Sequence, residues 1–69
     1  MVREARQRDV ERVLAGQGWL LTRTKGGHNV WVSPTGTDRL AIPRHGMVSP
    51  GVLRQVIRAL GDTAPKEWR

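Results

Sequence analysis

The sequence predicts an α+β domain in the order helix, three-stranded antiparallel sheet, helix. Three observations predict it. A first segment free of Gly and Pro carries one apolar stripe at helical spacing. Three short runs suited to a pleated surface follow, each ended by turn residues, and a Ser-Pro pair then introduces a second, stronger helical stripe. No internal repeat or low-complexity segment breaks the order.

The first helix is expected over residues 2–15, with Val10, Val13 and Leu14 at spacings of three and four, and Gly16 and Gly18 placed to end it. The first strand is expected over residues 19–24, where Trp19-Leu20-Leu21-Thr22-Arg23-Thr24 is apolar at its start and alternates from Leu21 on. Lys25-Gly26-Gly27 reads as a turn. His28-Asn29-Val30-Trp31-Val32-Ser33 reads as the second strand and residues 34–38 as the next turn. Arg39-Leu40-Ala41-Ile42 is a short third strand, stopped by Pro43, which has no amide to give to a ladder.

Ser49 before Pro50 starts the last helix, because the hydroxyl caps free amides and proline suits the first helical position. Leu53, Val56, Ile57 and Leu60 form its stripe, and Gly61 closes it. Residues 1–61 thus form a single domain, and residues 62–69, with Pro65 and mixed charge, are expected to be a flexible tail.

A three-stranded sheet in a chain of 69 residues cannot bury both faces, so the helices are expected to cover one and leave the other open. If Trp31, Leu40 and Ile42 point inward, alternation puts His28, Val30 and Val32 on the open side; the opposite assignment, with Val30 and Val32 inside, is equally compatible with the sequence. A core this thin leaves little apolar surface for a deep pocket, which favours a surface that reads a polymer or a partner over one that encloses a small molecule.

Cysteine is absent, which excludes disulfides, a thiolate nucleophile and zinc held by sulfur. The charged N-terminus has no apolar leader segment, and no apolar run reaches membrane-spanning length, so a cytoplasmic protein is expected. The net charge of +6 is unevenly spread. Residues 1–11 hold three bases and three acids, whereas residues 12–61 hold Arg12, Arg23, Lys25, Arg39, Arg44, Arg54 and Arg58 against Asp38 alone. The excess belongs to the folded part, as a phosphate-binding surface requires.

Chemistry is narrowed by what is missing. Two histidines and one central acid offer no metal-ligand cluster, so no metal or other cofactor is expected, and neither Ser33 nor Ser49 stands in a nucleophile context. Histidine remains. RNA carries its own nucleophile, the 2′-OH, so cleavage needs a base for its proton, donors for the phosphate and an acid for the leaving oxygen. His28 follows two glycines that let backbone approach a phosphate, with Lys25 beside them. Taken alone, His28 also reads as a solvent-facing strand residue, and His45 as a loop residue.

Five fragments in order, Gly18-Trp19, then Arg23-Thr24-Lys25-Gly26-Gly27-His28, then Val30-Trp31, then Ile42-Pro43-Arg44-His45-Gly46, then Gly51 and the helix to Leu60, resemble the HicA family of mRNA interferase toxins over positions 8–61. The resemblance implies a double-stranded-RNA-binding-like fold, metal-independent cleavage of RNA, a catalytic histidine at His28 and a neutralising partner of the HicB type. Beside His28, the residues expected to bind RNA are Arg23, Lys25, Gly26, Gly27, Arg44 and His45, with His45 a candidate second proton carrier. The chain departs from the family where Gly27 replaces a serine and where Pro50-Gly51-Val52 replaces Lys-Gly-Thr; a hydroxyl is lost at both places. Two rival readings share the fold: an RNA-binding module that cuts nothing, and a subunit whose basic surface docks on an acidic protein.

Overall fold

The computed structural model describes residues 4–68. A two-residue strand, β1 (Ala5–Arg6), leads directly into helix α1 (Gln7–Gly16). The end of α1 shows how the local sequence dictates geometry. Gly18 takes a φ of 89°, its amide donates to the Ala15 carbonyl at 3.1 Å, and the Trp19 amide donates to the Leu14 carbonyl at 3.0 Å. This is a Schellman ending, with Trp19 and Leu14 both buried as its apolar contact. A side chain at position 18 would also meet Pro34 Cγ at 3.1 Å.

Strands β2 (Leu20–Lys25), β3 (His28–Val32) and β4 (Arg39–Pro43) form an antiparallel meander with β3 in the centre. In register, Trp31 faces Leu40 and Asn29 faces Ile42, and all four are buried. His28 is exposed, while Val30 and Val32 are only half-buried. Trp31, Leu40 and Ile42 are therefore the inward set, which resolves the choice the sequence left open. A short strand β5 (Met47–Val48) pairs with β1, and helix α2 (Pro50–Leu60) follows. Ser49 Oγ accepts from the Val52 amide at 3.4 Å with Pro50 in the first turn, as the Ser-Pro pair predicts.

Val10 and Leu14 of α1, Leu53, Val56 and Leu60 of α2, and the inward residues of the sheet join one core. The α+β order of helix, three-stranded antiparallel sheet and helix is as expected, and it matches a double-stranded-RNA-binding-like fold.

Two expectations are corrected. The first helix starts at Gln7, because Ala5 and Arg6 are drawn into pairing with Val48 and Met47; residues 2 and 3 lie outside the described residues. The β1–β5 pair is too short to leave a period in the sequence. Of the expected tail, residue 69 lies outside the described residues and residues 62–68 are not loose: the chain forms two short 3-10 turns, Gly61–Thr63 and Lys66–Trp68, and Ala64 and Trp68 are buried in the core. A small domain gains much from burying a whole indole, and residue 63 is further tied by Thr63 Oγ1 donating to Gln17 Oε1 at 2.9 Å.

Candidate nucleic-acid interface

The hairpin between β2 and β3 is built on two glycines. Lys25 and His28 are the last register partners, so Gly26 and Gly27 are the whole loop. Gly26 has a φ of 58° and Gly27 has no positive φ, the pattern of a II′ turn, in which glycine is demanded only at the first central position. A Cβ built on Gly27 meets nothing within 4 Å.

The open side of this hairpin presents Lys25 next to His28 and, two rungs further, Arg23 next to Val30. Both rungs use side chains on the face away from the helices, since the intervening rung, Thr24 and Asn29, points inward with buried Asn29. A bulge between Leu21 and Arg23 restores this alternation after the start of β2.

On its other side His28 pairs with Pro43, and the Arg44 amide donates to the Gly27 carbonyl at 2.7 Å. The chain leaving β4 is thereby held against the turn. Of the site residues read from the sequence, the fold gathers Lys25, Gly26, Gly27, His28 and Arg44 at one end of the sheet, with His45 next in the chain and Arg23 two rungs away. All seven are exposed. Among the described residues, neither Gly26 nor Gly27 gives its amide to a backbone carbonyl outside the ladder. An imidazole, several cations and turn amides on an open surface suit a polyanion better than an enclosed substrate.

Pairing of β1 with β5 brings N-terminal residues beside the loop that carries His45. The Gln7 amide donates to the Gly46 carbonyl at 2.9 Å, and Arg6, Gln7, Arg8, Glu11 and Gly46 line a shallow hollow beside the loop that carries His45. The N-terminal charges looked balanced when counted along the chain. In space, two of the acids have partners other than Arg6 and Arg8. Asp9 makes the single ion pair among the described residues, with Arg12 at 3.4 Å, and Glu11 accepts hydrogen bonds from Gln7, Asn29 and Trp31. Arg6 and Arg8 thus stand beside the loop that carries His45, with Glu11 lining the same hollow. No residue spacing could reveal this, because it depends on a two-residue strand finding its partner across more than forty positions.

Among the described residues, no three His, Asp or Glu side chains are gathered closely enough to hold a metal ion, and no helix is long and apolar enough to cross a membrane. Comparison with curated proteins and with solved structures gives no match. A family model does match: that of the HicA toxin of bacterial toxin–antitoxin systems, over residues 7–61. The match spans both helices and the whole sheet, and so includes every residue gathered at the hairpin. The chain belongs to the HicA toxin family.

Proposed function

We propose that this toxin is a cytoplasmic, metal-independent endoribonuclease that cuts RNA at the β2–β3 hairpin and is neutralised by a HicB-type antitoxin. Membership of a family of RNA-cleaving toxins supports the general activity. The observation that carries the assignment to the hairpin is the rung joining exposed His28 to Lys25 across the glycine turn, with Arg44 bonded to that turn.

The chemistry follows from these groups. An imidazole takes the proton of a ribose 2′-OH as its oxygen attacks the adjacent phosphorus; the bond from phosphorus to the 5′ oxygen breaks, and that oxygen receives a proton. His28 serves at one end of this transfer and His45 is the candidate for the other. Lys25, Arg44 and the Gly26 and Gly27 amides hold the phosphate oxygens as charge builds on them, and Arg23 grips the neighbouring backbone.

The test is cleavage of RNA by the purified chain in excess chelator, with His28→Ala beside it. The expected products end in a cyclic 2′,3′-phosphate and a 5′-hydroxyl, and RNA carrying 2′-O-methyl groups stays whole. Undiminished cleavage by His28→Ala would remove His28 from the mechanism. A second reading, a clamp that binds RNA without cutting it, is favoured by one observation, the absence of a hydroxyl at Gly27. Salt-sensitive binding without products singles it out.

A further inference from the structure

Glu11 lies on α1, across the sheet from His28, yet its carboxylate is bonded to the strands that carry the site. Oε2 accepts from Asn29 Nδ2 and from Trp31 Nε1, both at 2.7 Å, and Oε1 accepts from Gln7 Nε2 at 3.0 Å. Asn29 carries the link onward, its Oδ1 accepting from Thr24 Oγ1 at 2.9 Å. Thr24 and Asn29 are register partners, and their rung lies directly behind the rung of Lys25 and His28.

Burial alone does not fix that rung. The inward face of β3 is set by buried Trp31, but all six residues of β2 are exposed, and β2 already carries a bulge. The two-residue turn sets which residues pair, and Thr22 Oγ1 donates to the Val30 carbonyl at 3.1 Å, but with so little of β2 buried, packing adds nothing that holds the rung behind Lys25 and His28 steady. The hydroxyl of Thr24 is what ties β2 to the inward network, and Asn29 can receive it only while its own amide is oriented by Glu11. Fully satisfied polar networks of this kind specify one arrangement where apolar contact would tolerate several.

We infer that Glu11 is a positioning residue for the site: through Asn29 and Thr24 it holds Lys25 opposite His28. The inference rests on the reading of His28 as the RNA-cleaving group, but its geometric half is measurable without any cleavage. Thr24→Val removes the hydroxyl and keeps a branched side chain on an exposed strand, so the variant folds. Glu11→Gln keeps an oxygen for Asn29 and Trp31, and Gln7 meets the new amide by turning its own amide over.

The experiment records cross-strand proton contacts between Lys25 and His28 by NMR on the labelled full chain, and kcat and KM on RNA, for wild type, Glu11→Gln, Glu11→Ala and Thr24→Val. In Thr24→Val and Glu11→Ala the contact is expected to weaken and kcat to fall by about tenfold or more, with KM changed by less than about threefold. Glu11→Gln is expected to keep both contact and kcat close to wild type. Unchanged contacts and kcat in Thr24→Val would overturn the inference, even if Glu11→Ala failed to fold. So would a Glu11→Gln as defective as Glu11→Ala, since the bonds, not the charge, are held to act. If the wild type cuts nothing, the nuclease reading falls, and the Lys25–His28 contacts alone decide the positioning role.

Discussion

The amide of Arg44 donates to the carbonyl of Gly27 at 2.7 Å, and this bond, beside the rung of His28 and Pro43, joins the two parts of the candidate site that are sixteen residues or more apart in the chain. It explains why the turn residues and the Pro43-Arg44-His45 segment belong to one surface. It also separates two roles of Arg44, whose backbone fastens the loop and whose side chain remains exposed for phosphate.

Side-chain truncation therefore reports on binding alone. Arg44→Ala keeps the amide, so its melting temperature should stay within a few degrees of wild type while RNA affinity falls. Measured in a His28→Ala background against salt concentration, Arg44→Ala and Lys25→Ala should each lower the slope of log affinity by about one, the signature of a lost phosphate contact. An unchanged slope for both would place the RNA elsewhere.

Gly27 departs from the family serine without a steric reason. Its φ is not positive and the space around its Cβ is open, so Gly27→Ser should fold with stability within about 1 kcal/mol of wild type, on the stable side because the unfolded chain loses freedom. Gly26→Ser, at a φ of 58°, should cost about 1–2 kcal/mol. Urea denaturation of the two variants checks both signs. In RNA assays Gly27→Ser should bind no more weakly than wild type, because the added hydroxyl supplies a phosphate donor beside the turn amides.

The helix start at Ser49 gives a small and separable effect. Its Oγ caps the Val52 amide at the long distance of 3.4 Å, so Ser49→Ala should cost about 0.5–1 kcal/mol in urea denaturation and leave RNA cleavage unchanged. A large loss of cleavage would instead mean that this helix start contacts RNA.

Legibility in the sequence followed the range of each interaction. The glycine ending of α1, the two-glycine hairpin and the Ser49-Pro50 helix start are local, and residue types alone located them to within a residue or two. The inward choice of Trp31 over Val30 and Val32 needed the helices, whose apolar stripes do not say which sheet face they meet. The β1–β5 pair, the hollow beside Arg6 and Arg8, and the bonds of Glu11 were illegible for one reason: each joins residues far apart through elements too short or too polar to carry a period. A glutamate on a helix reads as solvated until an indole N–H and an amide are found against it.

The last segment of the chain shows the same limit and yields the sharpest stability test. The family match ends at residue 61, yet Trp68 is only 6% exposed and Ala64 only 5%, both within the same core as Leu14 and Leu53. For so small a domain one buried indole is a large share of the core, and its truncation leaves a cavity that short 3-10 turns cannot close. Trp68→Ala should therefore cost about 3 kcal/mol or more, and removal of residues 62–69 at least as much, both read as a drop in the urea midpoint. At temperatures where the variants remain folded, the hairpin is unaltered and RNA affinity should match wild type. A loss below about 0.5 kcal/mol would mean that the indole is not buried in solution and would restore the tail predicted from composition.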